Sequence, residues 1–243
     1  MISLQYCLCR CVGLFILFAG PGQVVFAQTS VTITGRPATA EATIYAETPN
    51  DNGGSGTVTR AGRTNTAGAF RRTLIRFDVS GIPASAVITS AALELTISNV
   101  NGGAPAAVHA LHRVTQPWVE GTGVAAGGGG QVTTGAVCWI ARQYGSQNWS
   151  AAGGDYLPTP SATVNVGTTL GLRQWSSAGL VADIQTWVGG AATNYGWILI
   201  GDETLSQSVR GYTTSEAASD KPTLIINYSP PASVEAWEGY GAP

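Results

Sequence analysis

The chain has 243 residues, of which 32 are glycine and 12 proline, with only 11% charged residues and a net charge of −2. Lys221 is the only lysine, and recognition of a nucleic-acid backbone needs a basic patch, so no nucleic-acid partner is expected. The abundance of Gly, Thr, Ser and Val fits short strands joined by turns, and the length fits one large β domain.

Residues 1–27 read as a secretory signal peptide. Arg10 supplies a positive charge, Val12 to Phe18 form an apolar run, Gly20-Pro21-Gly22 break it, and Val25-Phe26-Ala27 offer a small-residue cleavage site before Gln28. The run is shorter than the roughly 20 apolar residues that span a bilayer. No second run of membrane length follows, so a secreted, extracellular product without a transmembrane segment is expected. Cys7, Cys9 and Cys11 leave with the leader, and Cys138 remains as a small buried residue with no disulfide partner.

Val31–Thr34 and Ala42–Glu47 read as short strands, and Asn50 to Gly56 as a turn cluster. From Arg72 to Val79 the pattern alternates: Leu74, Arg76 and Asp78 point one way, Ile75, Phe77 and Val79 the other. Leu93, Leu95 and Ile97 alternate with Glu94, Thr96 and Ser98 in a half-buried strand, and Ala107 to Thr115 forms the next. Gly121 to Gly135 is read as a flexible glycine-rich loop, and Ala136 to Pro160 as a long ordered loop carrying Trp139, Tyr144, Trp149 and Tyr156. Ala162–Val166 and Leu172–Trp175 return to strand pattern. Leu180, Ile184, Trp187 and Val188 share one helical face, and Gly189-Gly190 stop that helix. Trp197–Ile200 is apolar throughout and expected to be central; Val209–Thr213 and Thr223–Tyr228 complete the sheet. The pattern predicts an all-β fold, an antiparallel jelly-roll-like β-sandwich with one short helix, over residues 28–229, with a Pro/Gly-containing tail over 230–243.

Catalytic signatures are sparse. His109 and His112 lie three apart on a strand and face opposite sides, so they cannot share a metal. Gly53-Gly54-Ser55-Gly56 lacks the spacing of a nucleophile elbow, and Gly127–Gly130 lacks the Lys-Ser/Thr of a phosphate loop. A glycosidase needs two carboxylates about 5–9.5 Å apart; Glu120, Asp155, Asp183, Asp202 and Glu203 are the acids available, and no spacing singles out a pair. Asp78, Asp202, Glu203 and Glu216 are candidate ligands for a structural calcium, which prefers several oxygens.

The aromatics carry more signal. Seven Trp and eight Tyr stand in a chain of little charge, and aromatic faces accept the apolar C–H surface of sugar rings. Trp175, Trp187 and Trp197 sit in periodic segments and read as core. Trp118, Tyr144, Trp149 and Tyr156 lie beside or within glycine-rich stretches and read as candidate ligand-binding residues, with Arg113 and Arg142 placed to pair with uronate carboxylates.

Several blocks in order resemble DNRLRE domains, relatives of a carbohydrate-binding-module group that includes disaggregatase-related repeats. They are Arg72-Thr73-Leu74-Ile75-Arg76-Phe77-Asp78-Val79-Ser80-Gly81-Ile82-Pro83 with Ile88-Thr89-Ser90-Ala91-Ala92-Leu93; Trp118-Val119-Glu120-Gly121-Thr122; Gly153-Gly154-Asp155-Tyr156; Val181-Ala182-Asp183-Ile184-Gln185-Thr186-Trp187; and Asn194-Tyr195-Gly196-Trp197 through Gly201-Asp202-Glu203. Val137-Cys138-Trp139 and Ala151-Ala152 depart from the family pattern. The resemblance spans about residues 30–229 and implies a jelly-roll-like sandwich in a secreted bacterial or archaeal protein. It supplies no agreed ligand residues. The expected function is a secreted, non-catalytic polysaccharide-binding module acting on a polysaccharide or cell-surface glycan. The alternatives are a structural or adhesive extracellular protein that self-associates through exposed sheet edges, and a polysaccharide-degrading enzyme.

Overall fold

The computed structural model describes residues 28–124 and 129–230; the expected leader and all but the first residue of the expected tail lie outside them. In chain order the elements are β1 (Thr29–Thr34), β2 (Thr39–Tyr45), β3 (Asp51–Gly53), β4 (Val58–Arg63), β5 (Phe70–Phe77), β6 (Val87–Val100), β7 (Val108–Arg113), β8 (Gly130–Gln131), β9 (Ala141–Gln143), β10 (Gln147–Asn148), β11 (Ala162–Asn165), β12 (Gly171–Ser176), α1 (Ala178–Val188), β13 (Trp197–Gly201), β14 (Arg210–Thr213) and β15 (Thr223–Ser229).

The strands form an all-β, antiparallel two-sheet sandwich with one helix. The first sheet runs β1–β15–β6–β12, and β14 takes over from β15 farther along β6. The second runs β8–β3–β2–β5–β13–β7–β11. β4 belongs to both. Val58–Ala61 pair with β14, then Gly62 and Arg63 pair with β5. Gly62 makes this corner with φ +112, where a Cβ would lie 2.7 Å from Val209 Cα. A buried hydroxyl chain ties the crossing strand down: Thr43 Oγ1 to Thr59 Oγ1 and Thr59 Oγ1 to Thr73 Oγ1, each 2.7 Å.

The main core lies between the sheets. Ile75, Phe77, Leu93, Leu95, Ile97, Trp175, Trp197, Leu224 and Ile226 meet there, and the β5 and β6 members follow the alternation read from the sequence. α1 begins at Ser177, whose hydroxyl accepts from Leu180 N at 3.0 Å. It buries Leu180, Ile184, Trp187 and Val188 as its pattern predicts, and the φ +74 of Gly190 follows its end.

The segment between β7 and β11 departs from the sequence reading. It covers the outer face of the second sheet as a third layer. Ile44, Leu74 and Ile198 on that face pack with Val114, Val137, Trp118 and Trp149 into a second cluster. The polar positions of β5 take part: the Arg76 guanidinium lies 5.2 Å from the Trp118 ring, and that of Arg72 lies 4.8 Å from Trp139. Each such contact contributes about 0.5–2 kcal/mol. The stretch expected to be a flexible loop is pinned at its described ends. Asn52 donates to Val137 O at 3.0 Å and accepts from Gly123 N at 3.1 Å, and β8 pairs with β3.

Candidate functional site

The outer layer forms a groove of about 510 Å³ lined by Arg72, Thr115, Gln116, Ser150, Ala151, Ala152, Gly154, Asp155 and Tyr156. Arg72 forms its floor from β5. Glu203 grips Arg72 with two parallel hydrogen bonds of 2.7 and 2.8 Å, and Gly153 O accepts from its Nη1 at 2.9 Å. The approach of Arg72 explains Gly153: φ is +95, and a Cβ would stand 2.6 Å from Arg72 Nη1. Tyr156 is held by a bridge to Val114 and an edge contact with His112, centroids 5.2 Å apart. Asp155 turns the opposite wall. Its carboxylate accepts from Ser150 N at 3.0 Å and Ala151 N at 3.3 Å.

Of the six residues predicted to bind ligand, Tyr156 alone lines this groove. Trp118 and Trp149 are corrections: they are 2% and 5% exposed and their indole N–H groups donate to Tyr195 O at 2.8 Å and Cys138 O at 2.9 Å. Both are core of the outer layer, because β2, β5 and β13 present apolar side chains on that face and need cover. Arg113 is half-buried, lies 3.6 Å from Asp183 and does not line the groove. Asp183 is buried, accepting from Ser161 Oγ at 2.5 Å and Trp197 Nε1 at 2.8 Å. Arg142 is half-buried on the β9–β10 hairpin, and Tyr144 packs against Val132, Ala136, Cys138 and Ala141. Neither lines the groove.

The four acids predicted as calcium ligands are not brought together. Asp78 caps Ser80 N at 2.9 Å, Asp202 binds Thr204 Oγ1 at 2.6 Å, and Glu203 holds Arg72. Only Glu216 joins a cluster, with Glu41 and Glu120, whose carboxylate oxygens lie within 4.8 Å of one another. The cation at this cluster is Arg36, 2.5 Å from Glu120 and 2.7 Å from Glu216. Glu41 is buried and accepts from Ser215 N and Oγ at 3.0 and 2.6 Å. Burial, with Glu216 and Glu120 beside it, pushes its carboxyl up to about 7, against the hydrogen bonds from Ser215 that pull it down. Sequence reasoning missed Glu41, since one Glu in a strand of small residues carries no spacing signal.

His109 and His112 do face opposite sides. His109 is buried, hydrogen-bonded to Tyr212 Oη at 2.8 Å and Ser208 O at 3.1 Å, and desolvation lowers it to about 4. It is neutral at ordinary pH and takes no part in the groove.

The fold and the groove together define an antiparallel β-sandwich with a polar surface cleft on a covering layer. No family model and no curated protein matches the chain.

Proposed function

We propose that the protein is a secreted, non-catalytic carbohydrate-binding module of DNRLRE type, and that the groove beside Tyr156 is its glycan-binding surface. The observation that carries this reading is the make-up of the groove: one half-buried aromatic ring beside hydroxyl and amide side chains on Thr115, Gln116 and Ser150. A sugar presents apolar C–H faces and hydroxyl edges, which such a mixture accommodates. The ordered blocks that resemble DNRLRE domains point the same way. The non-catalytic reading is supported by the acids present. Asp155 is the single carboxylate lining the groove and is already bound to backbone N–H groups, whereas glycoside hydrolysis needs a pair.

The test is binding to immobilised neutral and acidic polysaccharides, with and without calcium, alongside an assay for reducing ends. Saturable binding to at least one polymer with no new reducing ends is expected. Folded protein that binds none of them, or that cleaves one, contradicts the proposal.

A further inference from the structure

A second groove, of about 460 Å³, shares no lining residue with the first. It lies where β4 crosses between the sheets. Arg60 of β4 stands opposite Gly211 of β14, and Gly211 stands opposite Asn99 of β6. The row therefore reads Arg60, Gly211, Asn99 across three strands spaced about 4.8 Å apart. Its middle member has no side chain, and a Cβ there would sit 2.8 Å from Asn99 Cβ and 3.0 Å from Val58 Cγ1. The result is a slot with a backbone floor, a guanidinium on one side and an amide on the other.

The charges in this slot are unequal. Arg71 is neutralised by Glu47 at 2.7 Å. Arg60 lines the slot and has no ion-pair partner among the described residues. The lining groups Arg60, Arg71 and Glu47 thus leave one positive charge, which suits a monoanion; a dianion would place surplus negative charge beside Glu47. A carboxylate matches a guanidinium through two parallel hydrogen bonds. Asn65, Asn99 and Asn101 supply amides that both donate and accept, the chemistry that recognises hydroxyl groups.

We propose that this slot binds a polyhydroxylated monocarboxylate, a sugar acid or aldonic acid, with the carboxylate on Arg60 and the adjoining hydroxyls on Asn99 and Asn101. The site is independent of glycan binding at the Tyr156 groove, and either can fail without the other.

Titration of the purified protein with glucuronate, gluconate, glucose and inorganic phosphate, followed by backbone amide NMR to roughly 10 mM ligand, tests it. Both carboxylates are expected to shift the amides of Arg60, Asn99 and Gly211, with uncharged glucose at least about tenfold weaker and phosphate weaker than either carboxylate because its dianion is repelled by Glu47. Arg60→Gln is expected to lower carboxylate affinity about tenfold or more, and Tyr156→Ala to leave it unchanged. Asn99→Ala serves as the second variant if Arg60→Gln does not fold, with the same expected direction. Glucose binding as tightly as glucuronate overturns the proposal. So does undiminished affinity in the folded variants, or unshifted slot amides at the highest concentration. A loss of carboxylate binding in Tyr156→Ala would place that ligand in the first groove and overturn the second site alone.

Discussion

Arg210 is wholly buried, yet its guanidinium meets only carbonyl oxygens: Pro105, Gly167, Gln207, Ser208 and Val209. Burial holds its pKa below the usual arginine value. The side chain gathers three loops at one end of the sandwich, between β6 and β7, β11 and β12, and β13 and β14. Removing it leaves several carbonyls unpaired, each costing about 1–3 kcal/mol. Arg210→Ala is therefore expected to lower stability by about 3 kcal/mol or more, a fall of roughly 6–12 °C in Tm by thermal melting. An unchanged Tm would mean the loops hold themselves.

Glu41 and His109 set opposing pH dependences. Glu41 has its folded pKa raised, to about 7 from 4.5, so its contribution is full below about 4.5 and is lost as pH rises towards 7. That loss is on the order of 3 kcal/mol. His109 has its folded pKa lowered, to about 4 from 6.5, so its contribution is full above about 6.5 and is lost as pH falls towards 4. The two slopes oppose each other between those limits, so wild-type stability should change less across pH 4.5–6.5 than that of a protein carrying the His109 slope alone. Glu41→Gln should unmask the His109 slope, with stability rising with pH over the same range, and should gain on wild type at pH 8. Urea melts at half-unit steps read this out; a variant profile parallel to the wild type would remove the assigned origin.

At the scale of elements, the outer layer is the feature that the sequence under-specified. Strong alternation makes β5 and β6 legible, and the amphipathic face and Gly189-Gly190 stop make α1 legible. The short strands β3 and β8 carry Asp, Asn, Gly and Gln, which read as turn residues, and only long-range pairing turns them into strands. Glycines flank the aromatics of the β7–β11 segment, a pattern that reads as surface loop. A contrary signal was present: Trp197–Ile200 is apolar at every position, and a strand apolar on both faces needs cover on both. Trp149 supplies part of that cover. Trp149→Ala is expected to cost about 3–5 kcal/mol and to be seen first as loss of protection in the 136–157 backbone by hydrogen exchange. Loss of glycan affinity without any loss of protection would return Trp149 to the binding surface.

At the scale of the whole molecule, the sandwich acts as a platform. The second sheet presents Arg72 and Arg76 outward, the covering layer stacks indoles on them, and the Tyr156 groove opens in that layer. The fold class was legible throughout, and of the six candidate ligand-binding residues read from the sequence only Tyr156 lines the groove. The spacing of residues in the β7–β11 segment does not disclose which side chains turn down onto the sheet. The most direct test of the groove is a binding isotherm for Tyr156→Ala beside wild type, on whichever polysaccharide wild type binds, with melting curves for both. A drop in affinity of about 1–2 kcal/mol, roughly five- to thirtyfold, with a melting temperature near that of wild type is predicted. Equal affinity in a fully folded Tyr156→Ala protein would contradict the assignment of glycan binding to this groove.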